Sequence, residues 1–147
     1  MYKYVPGSTL GASIITAVVL HYFFPIMTVI SFPFNLLGLL IDGLGIYLAF
    51  QSVRLLISYN TTVEVDGNPS SLVMQYPYNY SRNPIYLGFL LITVGTAIVL
   101  SSLTAFLAPV IFYLVVNTVV IPFEEKRLQE VFGVGYEEYK RAVRRWM

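Results

Sequence analysis

The sequence predicts an all-α integral membrane protein with four transmembrane helices. Hydrophobic residues make up 56% of the 147 residues and charged residues only 12%, which is too apolar for a soluble domain of this size. A helical crossing needs about 20 residues, and four apolar stretches approach or exceed that length. They cover residues 8–30, 36–57, 85–100 and 104–123. The third is short and would cross only if it stands upright.

The positive charges predict the orientation. Threading four helices puts every Lys and Arg on one side, and the two opposite loops, SFPFN and SSLT, contain neither residue type. By the positive-inside rule this side is the cytoplasm, so we expect a multi-pass protein with both termini cytoplasmic. The first stretch is longer than the apolar part of a cleaved signal peptide and is expected to stay in the mature chain. The absence of cysteine excludes disulfides and thiolate chemistry.

One structural domain with two parts is expected. Residues 1–58 form two N-terminal transmembrane helices, and residues 59–147 form a core of cytoplasmic connector, helical hairpin and C-terminal helices. The connector has a turn cluster at 66–69 and some strand character at 62–65. A very short link at 101–104 predicts a tight hairpin of the third and fourth helices. Pro109 predicts a kink or a late start of the fourth.

The charged C-terminal end predicts amphipathic helices, which Gly133 and Gly135 divide. Tyr136, Tyr139, Val143 and Trp146 follow at the spacing of one helical face. This face could lie in the membrane interface, or it could pack on the connector and the bundle.

The segment SRNPIYLG, residues 81–88, predicts a helix start that can bind an anion. Asn83 suits the N-cap and Pro84 the first helical position, and the free N–H groups of such a terminus bind carboxylates and phosphates. The alternative is that these residues only begin a helix and that Arg82 only marks the cytoplasmic side.

Carboxylates and aromatic residues are expected on the same side. Glu124 and Glu125 stand where the fourth helix leaves the apolar zone, a costly place unless they are paired or face a polar cavity. They could instead be solvated or paired with Lys126 and Arg127. Tyrosine faces can hold a sulfonium or ammonium, although an interfacial aromatic belt explains them as well. These tyrosines are Tyr76, Tyr78, Tyr80, Tyr86, Tyr136 and Tyr139.

Together, QYPYNYSRNPIYLG and EEKRLQEVFGVGYEEYKRAVRRW resemble the catalytic core of the isoprenylcysteine carboxyl methyltransferase and phospholipid methyltransferase superfamily. The similarity covers roughly residues 70–146. It implies an integral membrane enzyme that binds S-adenosyl-L-methionine on the cytoplasmic side and methylates a lipidic or hydrophobic acceptor from the bilayer. The implied partners are membrane lipids and this acceptor, with no nucleic acid and no metal.

The resemblance also implies the site residues. Glu124 and Glu125 would be catalytic, with Glu124 mainly a cofactor ligand and Glu125 structural or an acid–base group. The implied cofactor contacts are Ser70, Ser71, Leu72, Val73, Tyr78, Asn83, Pro84, Ile85, Tyr86 and Glu124.

Departures from the family pattern leave the acceptor open. Tyr76 and Asn83 replace a Gly and a His, and Val120 replaces an Arg that would engage a carboxylate in the isoprenylcysteine enzymes. An amine, thiol, hydroxyl or lipid-headgroup acceptor is then as plausible as carboxyl O-methylation, unless Arg54 or Arg127 substitutes.

Two competing interpretations stay open. A non-enzymatic four-helix transporter subunit or assembly protein is one, although only Asp42 and His21 approach the ionisable groups that a transporter carries within its helices. A reductase-like relative using a nicotinamide cofactor is the other, and no feature of the sequence favours it.

Overall fold

The computed structural model describes residues 6–63 and 69–147, and this part of the chain is all-helical. Short 3₁₀ turns precede α2 and α4 at Phe34–Leu36 and Leu103–Phe106. The predicted all-α class is therefore confirmed. The helices are α1 Pro6–Phe23, α2 Leu37–Ser58, α3 Pro84–Leu100, α4 Leu107–Val115, α5 Ile121–Phe132 and α6 Val134–Ala142.

Among the described residues, two helical segments are long and apolar enough to cross a membrane, Phe34–Ser58 with 25 residues and Leu103–Phe132 with 30. The apolar helix α3 is shorter, at 17 residues. Large apolar side chains such as Phe23, Leu40 and Phe50 are exposed on the outside of the bundle, as expected for helices surrounded by lipid. Four crossings remain a prediction.

The first helix is shorter than predicted. The apolar stretch runs to residue 30, but α1 ends at Phe23, two residues before Pro25. Proline has no N–H group and disfavours helical conformation in the residue before it, which explains this boundary. The predicted strand character at 62–65 is also wrong where it can be judged, because Thr62 and Val63 lie in irregular structure and not in a strand. Residues 64 and 65 and most of the turn cluster lie outside the described residues.

After α3 the chain reverses direction, as predicted, and enters the continuous helical segment Leu103–Phe132, which we call the long helix. Ser101 adopts a left-handed conformation with φ 62° at the end of α3, and the 3₁₀ turn before α4 begins two residues later. Pro109 lies in the first turn of α4, where a missing N–H group leaves no helical hydrogen bond unmade. This confirms the predicted late start.

The long helix contains a π-helical segment, Val116–Val120, between α4 and α5. Pro122, the second residue of α5, cannot donate a backbone hydrogen bond to the preceding turn. Such wider turns inside helices are frequent at functional sites. Here the segment turns Asn117 toward the C-terminal end of the chain, where it accepts a hydrogen bond from Trp146.

The most extensive helix–helix contact joins α2 and α3. A Cβ atom on Gly88 would lie 2.7 Å from the carbonyl oxygen of Gly45 and 2.9 Å from the amide nitrogen of Ala49. Only glycine at this crossing allows the two backbones to approach so closely. The close crossing brings the start of α3 beside the end of α2.

Helix α1 packs on the hairpin through polar contacts. The hydroxyl of Ser13 donates to that of Thr93 at 3.1 Å, and Thr104 donates to the carbonyl of Leu20 at 3.2 Å. Asp42 lies within α2, half-buried against Gly95 of α3. The hydrogen bonds of Ser13 and Thr104 show how polar side chains link these apolar segments.

The predicted C-terminal helical face is wrong in its second half. Helix α6 ends at Ala142, and Val143 is extended, with φ −123° and ψ 133°. Tyr136 and Tyr139 are buried on α6, whereas Trp146 lies beyond it and packs on Tyr113 with a centroid distance of 5.3 Å. Of the two alternatives, packing on the bundle therefore describes the contacts of this end.

Candidate active site

A cavity lies where the start of α3, the end of α2, the connector and helices α5 and α6 meet. It contains about 900 Å³ of empty space, including the part that is open to solvent. Both sequence segments that carry the family resemblance contribute to its walls.

The start of α3 forms one wall. Pro84 occupies the first helical position, as predicted, and the first N–H groups of a helix have no intrahelical acceptor. Asn83 stands at the N-cap position, but its side chain makes no capping hydrogen bond. Its Nδ2 donates instead to the backbone carbonyl of Arg145 at 3.0 Å. The prediction of a side-chain cap is therefore wrong, because a distant segment provides a different acceptor.

Glu124 faces the cavity with a neutral partner. The hydroxyl of Tyr86, which is buried at the start of α3, donates to its Oε1 at 2.9 Å. Within residues 6–63 and 69–147 no cation forms an ion pair with Glu124. A half-buried carboxylate in this arrangement is available to a positive group of a ligand or to a proton.

Glu125 lies in a cluster of positive charges. Its Oε1 is 3.0 Å from Arg82 Nη1, and its Oε2 is 2.8 Å from Arg145 Nη2, with Lys140 farther away at 3.9 Å. The Arg82 and Glu125 side chains are only 8% and 9% exposed. Burying such a pair is costly unless its charged groups have good hydrogen-bond partners. Arg145 provides the partner for the second carboxylate oxygen of Glu125. Glu125 is therefore held as a fixed anion in the cavity wall.

Three buried tyrosines also line the cavity: Tyr78, Tyr136 and Tyr139. Tyr139 donates to the carbonyl of Tyr78 at 2.7 Å, and Arg82 donates to the hydroxyl of Tyr136 at 3.4 Å. Burial raises the pKa of all three phenols, and the nearby Glu125 helps to raise the pKa of Tyr136 to about 12. These phenols therefore stay protonated and present neutral aromatic surface to a ligand.

Most of the predicted site residues line this cavity. Ser70 does not, because its hydroxyl donates to the carbonyl of Asn60 at 2.8 Å and its amide donates to Thr61. The predicted residues in the lining are Ser71, Leu72, Val73, Tyr78, Asn83, Pro84, Ile85, Tyr86, Glu124 and Glu125.

Several lining residues were not predicted as ligands. Arg82 was considered as a marker of the cytoplasmic side, and Tyr136 and Tyr139 as cation-binding faces or an aromatic belt. None of the three was among the predicted site residues, yet all three line the cavity. Their order along the chain, an Arg before the helix start and a Tyr-x-x-Tyr after the acidic pair, was the available signal. Arg127 and Leu128, one turn after Glu124, complete the wall.

Val120, which replaces the Arg of the isoprenylcysteine enzymes, has apolar surroundings. Val120 is buried in a hydrophobic cluster with Tyr86, Phe112 and Val116, and it does not line the cavity. Of the two arginines that could substitute, Arg127 lines the cavity, whereas Arg54 lies in a separate groove on α2.

The sequence profile of the phospholipid methyltransferase family matches residues 33–135, which is well over half of the chain. The chain belongs to this family. A Haemophilus influenzae protein described as uncharacterized is 41% identical over 63 residues, which are 43% of this chain and the whole of that protein.

The match to the phospholipid methyltransferase family covers the first of the two segments on which the resemblance rested, residues 75–88, and the beginning of the second, residues 124–135. It begins just before α2 and ends at the start of α6, so it contains Arg82 and the acidic pair. Arg145 and Trp146, which contact the cavity wall from outside this region, lie beyond the match.

Proposed function

We propose that this protein is an integral membrane methyltransferase that uses S-adenosyl-L-methionine and methylates a lipidic or hydrophobic acceptor. The observation that carries the proposal is a single cavity whose walls come from both segments around the hairpin, in a chain of the phospholipid methyltransferase family. The groups in its wall match the cofactor: helix N–H groups for a carboxylate, buried phenols for an aromatic or cationic group, and a carboxylate, Glu124, that has no ion pair with any described residue.

The residues at the start of α3 would hold the carboxylate end of the cofactor. The amide of Ile85 belongs to the first turn, which has no carbonyl preceding it in the helix to accept from it. Connector residues Leu72 and Val73 and the ring of Tyr78 add apolar surface. When bound, the cofactor supplies an activated methyl group, and the chain's own residues orient the reactants and exclude water.

The two carboxylates have different roles in this proposal. Glu124 has a neutral partner and no ion pair among the described residues, so it is the one that can hold a positive group of the cofactor. It is also the one that can accept a proton from a protonated amine acceptor. Glu125 is already neutralised by two arginines and acts by holding the wall in place.

The acceptor is proposed to be an amine, a thiol, a hydroxyl or a lipid headgroup. A carboxylate acceptor needs a fixed cation, and the position where the isoprenylcysteine enzymes carry it belongs here to an apolar cluster around Val120. One observation favours carboxyl O-methylation: Arg127 lines the cavity one turn after Glu124, where its positive charge could meet a carboxylate.

The membrane arrangement is part of the proposal. We infer four crossings with both termini cytoplasmic, in which residues 1–58 anchor the chain and residues 59–147 carry the cofactor site. All positive residues then lie on the side of the cavity, which is also the side from which a soluble cofactor arrives.

Equilibrium binding of radiolabelled S-adenosyl-L-methionine to the detergent-purified protein tests this function. Wild type should bind, and Glu124→Gln should bind at least tenfold more weakly, because the amide removes the negative charge with almost no change in volume. Glu130→Gln is the matched control, since Glu130 is exposed on the same helix. A folded wild type that does not bind the cofactor would refute the proposal.

A further inference from the structure

The segment after α6 contacts the cavity wall from behind. Arg145 forks onto Glu125, with Nε 3.2 Å from Oε1 and Nη2 2.8 Å from Oε2. Such a two-point contact fixes the orientation of a carboxylate as well as its charge. Arg145 does not itself line the cavity, whereas Glu125 does.

The backbone of the same segment holds the residues before α3. The carbonyl of Arg145 accepts from Asn83 Nδ2 at 3.0 Å and from the Ser81 hydroxyl at 3.2 Å. The carbonyl of Arg144 accepts from the amide of Arg82 at 3.0 Å. Two consecutive residues therefore connect the start of α3 with the acidic wall on α5.

The π segment provides the outer support for this connection. The side-chain oxygen of Asn117 accepts from Arg145 Nη1 at 3.3 Å and from Trp146 Nε1 at 3.0 Å. An acceptor that two donors share restricts the rotation of the guanidinium group. Arg145 is thus fixed on one side by Asn117 and presents its fork to Glu125 on the other.

From these contacts we propose that Arg145 is a positioning residue for the cofactor site. This proposal rests on the function proposed above. Arg145 fixes the carboxylate of Glu125, which in turn fixes the guanidinium of Arg82 in the wall beside Tyr136. Without Arg145, Glu125 would be free to turn toward Lys140, now 3.9 Å away, and Arg82 would lose its fixed partner.

The test compares Arg145→Gln, Arg145→Lys and the control Arg144→Gln in detergent. The control loses one charge from the same segment, but the side chain of Arg144 is exposed and its backbone contact is kept. Two quantities are measured for each variant, the Kd for labelled S-adenosyl-L-methionine and the fluorescence of Trp146, the single tryptophan. The fluorescence reports whether the segment is still in place without any ligand.

We expect Arg145→Gln to raise the Kd fivefold or more, Arg145→Lys to recover part of this loss, and Arg144→Gln to leave the Kd unchanged. Partial recovery is expected because lysine restores the charge without the fork. An increase below fivefold in a folded Arg145→Gln protein overturns the proposal. If that variant does not fold, Arg145→Lys decides: a Kd at least twofold above wild type supports positioning, and a smaller change overturns it. A wild type that does not bind the cofactor refutes the proposed function itself.

Discussion

Replacing Glu125 with glutamine should strongly destabilise the protein. The substitution keeps the shape of the side chain but removes the negative charge that Arg82 and Arg145 share. Arg82 is only 8% exposed, so its guanidinium would be left in a buried site without a counter-ion. Loss of one partner from a buried pair costs about 3–5 kcal/mol. Because glutamine can still accept hydrogen bonds, we expect the lower end, about 3 kcal/mol, which is roughly a 100-fold change in the unfolding equilibrium.

The assay is reversible unfolding in mixed micelles, followed by the fluorescence of Trp146, which packs close to the ion cluster. Glu138→Gln serves as the control, because it makes the same charge change at an exposed position on α6. The control should change the free energy of unfolding by less than about 0.5 kcal/mol. If Glu125→Gln unfolds with the same free energy as the control, the ion cluster does not stabilise the cavity wall and our reasoning about Glu125 is wrong.

The helix crossing and the buried phenols allow two further predictions. Gly45→Ala should lower the free energy of unfolding by about 1–3 kcal/mol, because the new Cβ would lie 2.5 Å from the carbonyl oxygen of Gly88. Gly43→Ala is the control and should be nearly neutral, because nothing lies within 4 Å of a Cβ at that position. Equal effects of the two substitutions on unfolding in micelles would contradict this packing. The pKa of Tyr136 rises from 10 to about 12 on folding, so the unfolded chain loses that proton first and the free energy of unfolding should fall between pH 10 and 12. Tyr136→Phe should reduce the slope of that fall, and an unchanged slope would show that Tyr136 does not contribute to it.

Local signals in the sequence predicted the framework of the site. The apolar stretches gave α2 and α3 almost to the residue, and Pro84 and the short link at 101–104 gave the helix start and the hairpin. These features depend on hydrophobic length and on backbone constraints that act within a few residues. A prediction from sequence is strongest for such short-range effects.

Long-range contacts explain what was missed. Asn83 was expected to cap its own helix, but it donates to a carbonyl 62 residues later in the chain. The helical spacing of Val143 and Trp146 was misleading, because hydrogen bonds to Arg82 and Asn117 favour an extended segment after Ala142. A local sequence pattern cannot show that a hydrogen-bond acceptor comes from a distant part of the chain.

The acidic pair illustrates the same limit. In the sequence Glu124 and Glu125 are adjacent, and both were predicted to be catalytic, with Glu124 mainly a cofactor ligand and Glu125 structural or an acid–base group. In the folded chain one meets the hydroxyl of Tyr86 and the other meets Arg82 and Arg145, because neighbouring residues on a helix point about 100° apart. The difference in their surroundings is what separates their proposed roles.

The most direct test of the central claim is ultraviolet cross-linking of methyl-labelled S-adenosyl-L-methionine to the purified wild-type protein, followed by identification of the labelled peptide. Cross-linking should place the label on peptides that contain the cavity wall, at Pro6 or in 56–63, 69–86 or 124–139, and excess unlabelled cofactor should suppress it. Label on a peptide outside these ranges, or no label that unlabelled cofactor suppresses, would contradict the assignment of this cavity as the methyl-donor site.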